Sequence, residues 1–165
     1  MIAYWHGDGY CMQLVLREIA KLNVKIKVIV TAHKRGDVIE KMIKPYGAQT
    51  IRLPDGYDMR PFFKELRENS KTSCEALAGA LDGPLGPLHE PKKLLFLLAS
   101  EAGKEACYVR FHYSHVIRLK KRWDRYVIPL PFTRIIAEVE DLGTIGKEEL
   151  RHFDEFKSRM LPSLG

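Results

Sequence analysis

Apolar and polar positions change their spacing repeatedly along this chain, and the changes predict strands and helices in turn. Short apolar runs predict strands at residues 2–5, 26–32, 49–53, 74–81, 106–113 and 134–142. Segments with one apolar face predict helices at residues 11–22, 37–47, 61–71, 91–103 and 147–160. Because strands and helices alternate, the sequence predicts an α/β fold: one domain over residues 1–165, with a mainly parallel sheet and helices on both faces.

Composition and charge narrow the class of protein. A chain of 165 residues with 45% hydrophobic content suits one domain with a real core. The net charge of +6 favours an anionic partner, such as a phospholipid surface, a phosphorylated substrate or nucleic acid. Cys11, Cys74 and Cys107 have no metal-ligand spacing, which favours idle thiols in a reducing compartment. The longest apolar run, 94–99, is too short to cross a bilayer, so we expect a cytoplasmic protein, at most peripheral on the inner membrane face.

Ionisable side chains follow the predicted strands at the point where each strand ends. They are His6, His33, Lys34, Arg35, Arg52, Asp82, His112 and His115. In a parallel sheet the functional crevice lies outside the carboxyl ends of the strands. Asp82 opens the stretch LDGPLGPLHEP, in which Gly83 and Pro84 hold its carboxylate toward that crevice. Gly7, directly after His6, permits close approach of a substrate.

Each of these residues also has a plainer interpretation. A single histidine in a loop is more often solvated than catalytic, and His33 fits a surface position. The six histidines have no spacing typical of a metal site, so we expect no metal ion. A nucleophilic pair of Cys11 with His6 lacks any residue that would orient it.

The segment 116–134 is strongly basic and is interleaved with aromatic residues and prolines. It contains six cations and a single acid, Asp124. The plain interpretation is a solvated basic loop. The functional one is a platform for an anionic membrane, formed by Arg118, Lys120, Lys121, Arg122 and Trp123. Stacking on single-stranded nucleic acid is a minor alternative, because no nucleic-acid-binding motif accompanies the segment.

Three motifs together carry a resemblance to a known family. They are WHG at residues 5–7, DGPLGP at 82–87 and WDRYVIPLPFTR at 123–134. In this order they resemble the bacterial lysophospholipid acyltransferase-like family of unassigned function, a branch of the glycerolipid acyltransferase superfamily. The likeness extends from the first residues to about Glu140. It implies transfer of a fatty acyl group from a thioester, on coenzyme A or acyl-carrier protein, to a lysophospholipid or related hydroxyl, with no bound cofactor.

The resemblance also implies roles for individual residues. In the superfamily motif H-x-x-x-x-D the histidine deprotonates the acceptor and the aspartate orients it. His6 matches the histidine, whereas Cys11 stands at the aspartate position. Asp82 is then expected to orient His6 or to anchor the hydroxyl, Arg52 to bind a phosphate, and Gly7, Gly83 and Pro84 to contact substrate. The chain begins at its first predicted strand, without the hydrophobic helix that precedes it in the family.

Three functions stay open at this point. The first is an acyltransferase acting on lipid at the membrane surface. The second is a non-catalytic relative that keeps the lipid-binding cleft, and the third is a transferase that uses another activated donor, such as a sugar. The acyl donor, the acceptor and the oligomeric state are not specified by any of these patterns.

Overall fold

A computed structural model describes residues 1–32, 34–53, 59–72 and 75–164. The strands are β1 Ile2–Tyr4, β2 Ile26–Thr31, β3 Gln49–Leu53, β4 Ala76–Ala80, β5 Glu105–Tyr113, β6 Val116–Arg118, β7 Val127–Pro129 and β8 Ile135–Thr144. The helices are α1 Gly9–Lys21, α2 Lys34–Ile43, α3 Met59–Thr72, α4 Lys93–Glu101, α5 Lys147–Arg151 and α6 Phe153–Leu164. Short 3₁₀ turns occupy His6–Asp8 and Lys44–Tyr46. His33, Cys74 and residues 54–58 lie outside the described ranges.

Six strands form one sheet in the order β3-β2-β4-β1-β5-β8. The strands β3, β2, β4, β1 and β5 are parallel to one another, and β8 pairs antiparallel with β5 at the edge of the sheet. The expected mainly parallel α/β sheet is therefore confirmed. The carboxyl ends of β1 and β4, which are adjacent, lie side by side at one edge.

Helices cover both faces of the sheet, as the alternation of β1 shows. Ile2 and Tyr4 pack with Met12 and Leu16 of α1 in one core cluster. The intervening Ala3 joins a second cluster, which contains Phe96 of α4 and Phe156 of α6 together with Trp5. Successive strand residues point to opposite faces, so these two clusters lie on opposite sides of the sheet.

Three features differ from the sequence predictions. The β5–β8 pair is a long antiparallel ladder, which the prediction of a mainly parallel sheet did not locate. The basic segment, expected to be irregular, forms a two-stranded hairpin in which Ile117 pairs with Ile128. The last predicted helix is divided at His152, whose φ of −102° and ψ of 50° leave the helical region.

In the described part of the chain, no helix is long and apolar enough to span a membrane.

Candidate functional site

His6 and Asp82 meet at the carboxyl ends of two neighbouring strands. His6 begins the 3₁₀ turn that follows β1, and Asp82 comes two residues after β4. Tyr4 and Ala80 are paired across these strands, so the two loops leave the sheet side by side. The sequence-based prediction that both residues lie at one edge of the sheet agrees with this geometry.

Asp82 contacts the main chain of His6. Its side chain is fully buried, and its Oδ1 accepts a hydrogen bond from the backbone N–H of His6 at 3.0 Å. Oδ2 is buried without a hydrogen-bond partner among the described residues. Burial raises the pKa of Asp82 to about 6, against the opposing effect of backbone N–H groups that include that of His6. Asp82 thus fixes the position of the turn and does not bond to the imidazole through this contact.

The raised pKa of Asp82 predicts a pH-dependent stability. Its folded form holds a proton up to pH about 6, whereas the unfolded form loses it near 3.8, so stability falls as the pH rises through this window. At roughly 1.4 kcal/mol per pH unit, the loss amounts to about 3 kcal/mol. Asp82→Asn retains an acceptor oxygen but cannot ionise. The free energy of unfolding of the variant, minus that of the wild type, should therefore rise by about 2 kcal/mol between pH 4 and pH 6 in urea titrations, and the rest of the change falls just outside this interval. A constant difference would contradict the assignment.

The imidazole of His6 is held by the next residue of the Asp82 loop. Its Nδ1 lies 3.1 Å from the carbonyl oxygen of Gly83. Because a carbonyl oxygen only accepts, this bond places the proton of the neutral ring on Nδ1, so Nε2 is the unprotonated nitrogen of that tautomer. The ring also packs edge-to-face on Trp123, with centroids 5.2 Å apart. His6 is therefore oriented in the tautomer that a general base requires at Nε2.

Asp124 supplies the carboxylate that faces the imidazole, which the sequence predictions missed. Its Oδ2 lies 3.8 Å from Nε2 of His6, and its side chain is fully buried. Arg122 donates two hydrogen bonds to it, from Nε at 2.8 Å and from Nη2 at 2.5 Å. Burial alone would raise the pKa of Asp124, but the bonds and charge of Arg122 outweigh it and lower this pKa. Asp124 therefore stays ionised beside Nε2, where its charge would stabilise a positive charge that develops on the imidazole.

Two glycines allow the hairpin to close over His6. A Cβ atom at Gly7 would lie 2.4 Å from the backbone oxygen of Asp124. One at Gly86, whose φ is +72°, would lie 2.6 Å from the indole ring of Trp123. The three segments that carry the family resemblance are thus packed against one another around one imidazole.

Asp8 and Cys11, the residues near the family's aspartate position, have other surroundings. The hydroxyl of Tyr113 donates a hydrogen bond of 2.6 Å to Oδ1 of Asp8. Burial raises the pKa of Asp8, although this hydrogen bond acts the other way. Cys11 is fully buried at the start of α1, and burial raises the pKa of its thiol. The Asp8–Tyr113 bond ties the turn that carries His6 to the end of β5.

An apolar cavity of about 360 Å³ adjoins His6. Its apolar lining comes mainly from the sheet, α1 and α2, and includes Met12, Leu16, Val28, Val30, Ile39, Met42, Ile43 and Leu53. Polar groups join the lining at the imidazole end, among them His6, Lys92, Arg122 and Tyr126. Gly83 and Pro84, both predicted to contact substrate, also line it. The cavity falls in the size range of sites for small apolar ligands, roughly 300–1,000 Å³.

Arg52, predicted to bind a phosphate, is paired with carboxylates in the structure. It lies within β3, where its guanidinium pairs with Asp37 at 2.6 Å and with Glu40. Its charge is balanced by these two carboxylates of α2, and it is not among the described residues that line the cavity. Gly7 likewise serves the packing of the hairpin and does not line the cavity.

The five residues predicted to form a membrane platform divide into two groups. Arg118, Lys120 and Lys121 are exposed on the hairpin. Arg122 and Trp123 turn inward, toward Asp124 and His6 respectively. Sequence alone did not separate them, because the division depends on which side chains reach the buried Asp124.

Within the residues whose positions are described, no group of three or more His, Cys, Asp or Glu side chains is placed to hold a metal ion. The arrangement has the parts of a general-base site: an imidazole oriented through Nδ1, a buried anion beside it and an apolar cavity. Comparisons of the chain with protein-family models, with curated proteins and with solved structures gave no match.

Proposed function

We propose that the protein is a glycerolipid-acyltransferase-like enzyme that moves a fatty acyl group from a thioester donor to a hydroxyl of a lysophospholipid or related acceptor. The observation that carries the proposal is the placement of His6, oriented through Nδ1 by the carbonyl oxygen of Gly83, at the polar end of an apolar cavity. The resemblance of the three motifs around His6 to the acyltransferase-like family supports the same chemistry.

His6 acts as the general base in this mechanism. Nε2 takes the proton of the acceptor hydroxyl while that oxygen attacks the thioester carbonyl carbon, forming the new C–O bond. The ionised Asp124, 3.8 Å away, stabilises the imidazolium that results. When the tetrahedral intermediate collapses, the C–S bond breaks and the leaving thiolate recovers the proton from the imidazolium. The products are the ester and the free thiol.

The cavity suits the acyl chain of the donor. Its lining at the sheet, α1 and α2 is apolar, and each methylene group buried there contributes about 0.8 kcal/mol. The same lining disfavours an activated sugar, whose hydroxyl groups would lose hydrogen bonds to water. Binding of a chain without transfer remains the second candidate function, because the cavity alone supports it.

Lys92 is the cation best placed to recognise a phosphate on the acceptor. It lines the cavity, and its backbone N–H bonds to the carbonyl oxygen of Leu81 at 2.7 Å, beside the Asp82 loop. The ion pair of its ammonium with Glu90 is long, at 3.6 Å, and both side chains are partly exposed, so this pair is weak. Arg52 and Arg122 are engaged by carboxylates, so neither is as available.

The Lys92→Gln variant is expected to raise the KM for a phosphorylated acceptor about tenfold. A hydrogen bond to a charged group contributes about 1.5–3 kcal/mol, and the exposure of the Lys92 side chain to solvent places this contribution at the lower end. The KM for monoacylglycerol, which lacks the phosphate, should change less than twofold. Lys93→Gln, at an exposed neighbouring position, is the matched control and should leave both values unchanged. An equal rise for both acceptors in Lys92→Gln would remove Lys92 from headgroup recognition.

The proposal is tested by incubating the protein with labelled acyl-coenzyme A or acyl-carrier protein and a panel of lysophospholipids. Labelled diacyl product should form, and thiol should be released in equal amount. Absence of product with every acceptor, together with saturable binding of a fatty acid, would replace transfer by the lipid-binding function.

A further inference from the structure

We propose that the outer face of the β6–β7 hairpin docks on a bilayer that contains anionic phospholipid. The docking face consists of Ile117, Ile128, Leu130 and Phe132, bordered by exposed cations. This inference deepens the proposed function by naming the surface at which it takes place. Its test measures vesicle binding alone, so it can fail while acyl transfer succeeds, and the reverse.

The docking face is apolar and exposed. Ile117 and Ile128 form a cross-strand pair and remain 50% and 42% exposed. Leu130, which directly follows β7, is 39% exposed. Phe132 is fully exposed, and its φ of +63° is a backbone conformation that bulky residues rarely adopt. A fully exposed ring in an unfavourable backbone conformation fits a side chain that enters an apolar phase.

The charges around the docking face are positive and have no acidic partners. Lys120, Lys121, Arg125 and Arg134 are exposed, and within the described part of the chain none of them forms an ion pair. The single acid of the segment, Asp124, is buried and bonded to Arg122. Unpaired cations beside exposed aliphatic groups fit a layer of lipid phosphates over acyl chains.

The orientation of the aromatic side chains favours a membrane over single-stranded nucleic acid. Trp123 packs on His6, and the ring of Tyr126 lies beneath the guanidinium of Arg122 at 4.8 Å. Two of the three aromatic rings of the segment are thus turned into the protein, and Phe132 is left as its exposed ring. The other apolar side chains of the docking face are aliphatic and would bind hydrocarbon, whereas a site for several bases needs several exposed rings.

Docking of this face would bring the candidate site to the lipid. The turn between β6 and β7 contains Arg122, which lines the cavity, and Asp124, which faces His6. Leu85, in the Asp82 loop that contacts Trp123 through Gly86, is 88% exposed beside this turn. A chain leaving the bilayer would therefore meet the polar end of the cavity first.

Vesicle sedimentation tests the docking face, with phosphatidylcholine alone and with about a third phosphatidylglycerol. The wild type should bind the anionic vesicles and release with salt, since charges are screened over about 8 Å at physiological ionic strength. Lys120→Gln with Lys121→Gln should weaken binding about 30-fold, at about fivefold for each cation. Phe132→Ala should weaken it about tenfold. The matched controls, Lys25→Gln with Lys41→Gln and Val139→Ser, alter exposed residues elsewhere and should bind like the wild type.

A fluorescence measurement separates insertion from surface attraction. Trp introduced as Phe132→Trp should be quenched by brominated phospholipid when anionic vesicles are added, whereas Val139→Trp should not. Equal quenching at both positions would overturn the proposal. So would wild-type binding by Phe132→Ala, or tighter binding of single-stranded DNA than of anionic vesicles with the same dependence on Phe132.

Discussion

His6→Ala is expected to lower the rate of acyl transfer by about 10²–10⁴-fold, the usual contribution of a positioned general base. The imidazole is held by Gly83 at Nδ1 and faces Asp124 at Nε2, and alanine can neither take the proton nor interact with that carboxylate. The effect should appear in kcat, because the proton is transferred only in the transition state.

The His6 variant also leaves a buried anion. The side chain of Asp124 keeps its two bonds from Arg122 in His6→Ala, so the fold should survive with a modest loss of stability. Single-turnover rates with saturating acceptor, measured beside thermal unfolding, separate catalysis from folding. A folded His6→Ala protein that retains more than a third of the wild-type rate would contradict the general-base role.

Gly7→Ala is expected to lower both stability and acyl transfer, because the new Cβ would lie 2.4 Å from the backbone oxygen of Asp124. Neither backbone segment can yield without moving the hairpin away from the turn that carries His6. We expect a loss of about 1–3 kcal/mol of stability, as for other overpacked sites, and at least a tenfold loss of transfer.

The matched control for this variant is Gly9→Ala, two residues further along. A Cβ there would meet only Tyr126, at 3.9 Å, which is an ordinary contact. Gly9→Ala should fold and transfer like the wild type in the same assays. If Gly7→Ala behaves as Gly9→Ala does, the close packing of the hairpin on His6 is not required.

The elements that bury apolar side chains were predictable because their periodicity is local. β3 agrees with its predicted range, and the observed β2 differs by one residue. The parallel arrangement predicted that His6 and Asp82 lie at the same edge of the sheet. The structure adds that their strands, β1 and β4, are adjacent. The β6–β7 hairpin was not predictable in this way. Val127 is the one residue of its described strand pairs that is fully buried, so the hairpin lacks the alternation of apolar and polar residues that predicts a strand.

The partner of the imidazole was not predictable from local pattern. Asp124 is far from His6 in sequence, and its role depends on the fold bringing a turn of the hairpin over the first strand. The one available signal was its isolation as the single acid among six cations in residues 116–134. The engagement of Arg52 by Asp37 and Glu40 also depends on tertiary packing, of α2 beside β3, which charge counting along the chain does not reveal.

The most direct test of the account compares Asp124→Asn with Asp82→Asn in the acyl-transfer assay at pH 7.5. Both aspartates are buried near His6, but Asp124 faces Nε2 of the imidazole at 3.8 Å, whereas Asp82 accepts a hydrogen bond from the backbone N–H of His6 through an oxygen that asparagine retains. We predict that Asp124→Asn lowers kcat about 100-fold, because the imidazolium loses its counter-charge, while Asp82→Asn stays within about threefold of the wild type. The reverse order, with Asp82→Asn inactive and Asp124→Asn unchanged, would contradict the assignment of Asp124 to His6.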